Sequence, residues 1–62
     1  MSYTIAIADT QCDTLFYVSR NRWSCEYPDA FKFVTVKSAK DHLANIKRMN
    51  PENEKYQRAY VR

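Results

Sequence analysis

Hydrophobic positions recur every second residue over much of this chain and at three- and four-residue steps over one stretch. Tyr3, Ile5 and Ile7 alternate with Thr4, Ala6 and Ala8. That pattern predicts a first strand, with Ile5 and Ile7 towards a core and Tyr3 at its edge. Residues 9–13 (DTQCD) are polar and predict a loop. Residues 14–20 (TLFYVSR) predict a second strand, with Leu15 and Tyr17 on one face and Phe16 and Val18 on the other. A strand apolar on both faces belongs near the centre of a sheet. The turn after it rests on Asn21, the residue there most able to take a positive φ. Trp23, Cys25 and Tyr27 then alternate with Ser24 and Glu26, predicting a strand that pairs back as a hairpin.

Residues 27–50 (YPDAFKFVTVKSAKDHLANIKRMN) organise the rest. Pro28 interrupts the ladder because it has no N–H to donate. Phe31 and Phe33 then share a face across 30–34, and the pattern leaves open whether 23–27 and 30–34 are two strands or one kinked strand. Thr35 is the expected N-cap, with Ser38 as the alternative. Val36, Ala39, Leu43 and Ile46, with Met49 nearby, form one narrow apolar stripe of a helix. Lys47 and Arg48 suit the negative end of its dipole, and Asn50-Pro51 stops it. The final segment, 55–62, alternates Tyr56, Arg58, Tyr60 and Arg62 against Gln57, Ala59 and Val61, which predicts a closing strand. The fold expected is α+β: a three- to four-stranded, mainly antiparallel sheet with one helix packed on one face, in the order β-β-β-α-β, as a single domain over 1–62.

Composition changes this picture in three ways. A chain of 62 residues buries only about 60% of its unfolded surface, so nine aromatic residues carry much of its packing. One short helix covers too little sheet to hide them all, and exposed aromatic clusters mark partner surfaces. There is no glycine, which excludes glycine-rich phosphate loops and dinucleotide turns. The net charge of +3 permits an acidic partner without demanding one.

Candidate chemistry is sparse. Cys12 and Cys25 form no CxxC pair, and the N-terminus carries no basic, apolar leader pattern, so the expected setting is a cytoplasm with reduced thiols and Cys25 buried on its strand. Cys12, Cys25 and His42 are one ligand short of a structural zinc site, and His42 reads as a helix flank residue. No nucleophile, base and orienting group stand at recognisable spacing, so no catalytic, cofactor or metal role is expected and the chain reads as a non-enzyme. No apolar run reaches the roughly 20 residues a membrane span needs. The expected partner surface is Tyr56, Arg58, Tyr60 and Arg62 with Tyr17 and Trp23, on the uncovered side of the sheet. Rings interleaved with arginine suit a protein partner, and also single-stranded nucleic acid as the alternative. A homodimer hiding its own aromatic face is the third reading.

Phe16-Tyr17-Val18, Trp23, then Ala30-Phe31-Lys32-Phe33 before Thr35, a short helix and a closing strand, resemble small accessory proteins of tailed bacteriophages and prophages. The chain departs from many of them in lacking glycine at its turns. The resemblance implies a protein that binds and modulates or inhibits a host protein, in host takeover or anti-defence, acting in the host cytoplasm. It transfers no individual functional residue.

Overall fold

β1 (Ile5–Ala8), β2 (Thr14–Ser19), β3 (Arg22–Ser24) and β4 (Tyr60–Val61) form one antiparallel sheet in the order β3-β2-β1-β4. The computed structural model describes residues 2–9, 12–20 and 22–62; the turn role expected of Asn21 lies outside them. The α+β class and the chain order of the main elements are as the pattern predicts. β1 and β2 are the central strands, as the two-sided apolar pattern of β2 requires. Thr4, Ile5, Ala6 and Ile7 are all 1% exposed or less.

The two sheet faces separate by the pleat. Ile5 and Ile7 face α1 (Val36–Met49) and cluster with Phe33, Ala39, Leu43 and Ala59. Ala6 and Phe16, opposite each other in the ladder, form a second cluster with Ala30. α1 starts where expected: the Thr35 hydroxyl accepts from the Ser38 N–H at 3.1 Å. Ala39 and Leu43 are buried and Ile46 half-buried, whereas Val36 and Met49, at the ends of the stripe, are exposed. With no glycine to close the helix, side-chain amides bind its last carbonyls. Asn50 Nδ2 donates to the Ile46 carbonyl at 2.8 Å, and Gln57 Nε2 donates to those of Lys47 and Asn50 at 2.9 Å each.

Three expectations are corrected. The segment 30–34 is not a strand. A 3-10 turn over Tyr27–Asp29, with Pro28 in its first position, carries the chain across the second face. Tyr27 meets Phe16 edge-on at 5.4 Å, and Lys32 Nζ lies 4.3 Å from the Tyr27 ring centroid. Phe33 is buried and exchanges backbone hydrogen bonds with Tyr3, while Phe31 is exposed. Second, β3 ends at Ser24, not at position 27, because the Ser24 hydroxyl takes the Glu26 N–H at 3.0 Å and donates to Asp29 at 3.1 Å. Third, residues 55–62 are not one strand: α2 (Glu54–Gln57) precedes a two-residue β4. Asn53 caps α2 by accepting from the Tyr56 N–H at 3.1 Å, and Glu54 suits its first turn.

Cys12 and Cys25 are joined by a disulfide, which overturns the expectation of reduced thiols and of a buried Cys25; Cys25 is exposed. The bridge ties the β1–β2 loop to the segment after β3. Closing a loop of this size contributes about 3 kcal/mol in the chain-entropy account. The paired Cys12→Ser, Cys25→Ser variant is expected to stay folded but to lose roughly 2–3 kcal/mol in urea titration. An unchanged midpoint would show that the bridge adds nothing to the fold.

Candidate aromatic groove

α1 packs beside β4, at one edge of the sheet. On the same face, the β2–β3 side is filled by rings rather than by helix. Tyr17 and Trp23 stand opposite each other in the ladder, and their rings meet edge-on at 5.6 Å. A bulge in β2 follows Tyr17, where the pairing register shifts before Ser19. Trp23 continues to Tyr56 at 5.4 Å, and its indole N–H donates to the Tyr56 hydroxyl at 3.2 Å. In the other direction Tyr17 meets His42 at 4.9 Å, and His42 meets Phe33 at 5.4 Å. The result is a continuous arc of rings from Phe33 through His42, Tyr17 and Trp23 to Tyr56.

Between this arc and α1 lies an open groove of about 540 Å³. Its walls are Tyr17, Trp23 and Tyr56 on one side and His42, Asn45, Ile46, Met49 and Asn50 on the other, with Arg20 at the rim. The size falls within the ~300–1,000 Å³ typical of ligand sites. Among the described residues, Arg20 is the only lining residue with a formal charge, and no carboxylate lines the groove. Asn45 Oδ1 accepts from Arg48 at 2.6 Å, which holds a second guanidinium alongside.

Several contacts position the Tyr56 wall. Asn53 caps its helix, Gln57 joins that helix to the end of α1, and Lys55 pairs with Asp9 at 2.9 Å. The disulfide then links the Asp9 loop to the strand end that carries Trp23. These contacts close a ring around the hydrogen bond between Trp23 and Tyr56.

The expected site residues therefore divide. Tyr17, Trp23 and Tyr56 come together, but on the helix side of the sheet. Tyr60 and Arg62 lie on the opposite face, where the Arg62 guanidinium sits 5.9 Å from the Phe16 ring centroid and donates to Thr14 Oγ1 at 3.4 Å. Arg58 is the exposed C-cap of α2 and belongs to neither group. The second face is also partly covered by the 3-10 turn, so it is not the open aromatic surface expected. His42, read from sequence as a flank residue, stands in the middle of the ring arc. Arg20, Asn45 and Asn50 were not anticipated as lining residues. The spacing carried a signal: 42, 45, 46 and 49 lie at three- and four-residue steps and form a row that shares Ile46 with the core stripe.

Among the described residues, no three His, Cys, Asp or Glu side chains gather as they would around a metal ion, and no helix is long and apolar enough to cross a membrane. Tyr56→Phe is expected to cost about 1 kcal/mol by leaving the indole N–H without its acceptor, and to shift the emission of the single tryptophan. Unchanged stability with unchanged emission would show that this hydrogen bond does not close the groove in solution. No protein-family model matches the chain, and neither a curated protein nor a solved structure matches it.

Proposed function

We propose that this protein is a non-enzymatic binding module whose helix-side groove receives part of a partner protein. The observation that carries the reading is the gathering of Trp23, Tyr17, Tyr56 and Arg20 at one concave place. Trp, Tyr and Arg are the residue types most enriched at the energetic centres of interfaces. The exposed Met49 adds an adaptable apolar wall. In line with the resemblance to phage and prophage accessory proteins, the partner is a host protein that the module modulates or inhibits in host takeover or anti-defence. The host cytoplasm is the proposed setting. There a dithiol pool opens accessible disulfides, so the packed core and the contacts around Tyr56 must hold the groove without the bridge.

The nucleic-acid alternative drew on Tyr56, Arg58, Tyr60 and Arg62 alternating along one strand. The break at α2 removes that row, which makes it the weaker reading. In the homodimer alternative, the groove would be filled by a second copy.

Capture from bacterial lysate tests the proposal. The wild-type protein and the Tyr60→Ser, Arg62→Ser variant are expected to retain the same host protein. Met49→Glu, a change at an exposed position that should leave the fold intact, is expected to release it. Retention by Met49→Glu, or loss only in the Tyr60/Arg62 variant, would place the partner elsewhere.

A further inference from the structure

We infer that the groove takes an acidic protein segment anchored by a large apolar side chain; this rests on the proposed docking role and adds the chemistry of the occupant. Three observations select it. Among the described residues the lining contains a cation, Arg20, and no carboxylate, and Arg48 is held close by through Asn45. Asp9 of the supporting ring is paired with Lys55, and the carboxylates of Glu52 and Glu54 line the neighbouring hollow that shares Met49 and Asn50 rather than the groove itself. One wall sets Ile46 and Met49 among the polar side chains of His42, Asn45 and Asn50, and the other is aromatic. That combination suits a leucine or phenylalanine anchor entering between the walls, with glutamate or aspartate on either side of it meeting the guanidinium groups at the rim.

The same features disfavour a nucleic-acid strand. Strand binders run a basic track along successive phosphates with rings free to stack on each base. Here one formal charge lines the groove among the described residues. The rings of Tyr17 and Trp23 are already engaged with each other and with His42 and Tyr56. Tyr56 further spends its hydroxyl on the indole. A rim charge sets partner choice and encounter rate more than total affinity, so the specificity should be sensitive to salt and to Arg20.

Trp23 is the only tryptophan, so its emission reports the groove directly. The probes are a synthetic peptide with a Leu-Phe pair flanked by glutamates, the same peptide flanked by lysines, and oligothymidine. The glutamate-flanked peptide is expected to give a saturable change that weakens with added salt. Arg20→Glu, an exposed substitution, is expected to weaken that peptide about tenfold and to improve the lysine-flanked one. Saturable binding of the lysine-flanked peptide to the wild type, or of oligothymidine alone, would overturn the inference. So would the absence of any response to the acidic peptide, or an unchanged affinity in Arg20→Glu. Capture by a neutral Met49→Ser variant, expected to be weakened whatever the occupant's charge, reads the docking role separately, so an error in the occupant's charge is distinguishable from an error in the site.

Discussion

Small side chains at the centre of the core govern this structure. Of the buried hydrophobic residues, Ala6, Ala30, Ala39 and Ala59 are alanines, and α1 meets β1 through Ala39 and Leu43. Such a contact brings α1 close to β1, and Phe33 is the ring buried in that cluster. Interiors are packed to crystal density, so a large side chain must find space where the elements diverge. Here α1 sits towards β4, and the elements diverge over β2 and β3. Tyr17, Trp23 and Tyr56 collect there, and their arc makes one wall of the groove. The concavity is thus a consequence of where volume is missing from the core, not an addition to it.

The absence of glycine shapes the same region. A glycine would normally close a helix by adopting a left-handed conformation. Instead Asn50 and Gln57 supply amide donors to the last carbonyls of α1. Gln57 belongs to α2, so capping one helix fixes the position of the next, and with it Tyr56. The ion pair of Asp9 with Lys55 and the disulfide brace the other side. With Lys55 half-exposed to solvent, an ion pair of this kind is worth about 1 kcal/mol. The brace therefore depends mainly on the amide caps and the ring contacts, with the disulfide adding to them where it is formed.

The sheet and the main helix were legible in the sequence because period two and the three- and four-residue steps are strong signals over 3–8, 14–19 and 36–49. The Thr35 cap was legible too, since its hydroxyl precedes the apolar stripe. The closing segment misled. Tyr56 and Tyr60 are four apart, a spacing that fits one face of a strand and one face of a helix equally well. Asn53 and Glu54 decided for a helical turn. The turn over Tyr27–Asp29 was visible as Pro28, but not its path across Phe16, which depends on tertiary packing. The groove itself was half legible. Tyr17, Trp23 and Tyr56 were identified by residue type, while their meeting on the helix side depends on the strand register and on α2. The disulfide was not legible, because two cysteines thirteen positions apart reveal their proximity only once the hairpin is formed.

The account separates two surfaces that the sequence had merged: a groove beside α1, and a sheet face closed by Phe16, Tyr27 and Arg62. Its central claim is that recognition happens at the groove. The most direct measurement is the amide and indole chemical-shift map of the labelled protein as its captured partner is added. The account predicts the largest changes at the Trp23 indole N–H, His42, Asn45 and Met49, with Phe16, Tyr60 and Arg62 little moved. Changes concentrated at Phe16, Tyr60 and Arg62, with a silent Trp23 indole, would contradict it.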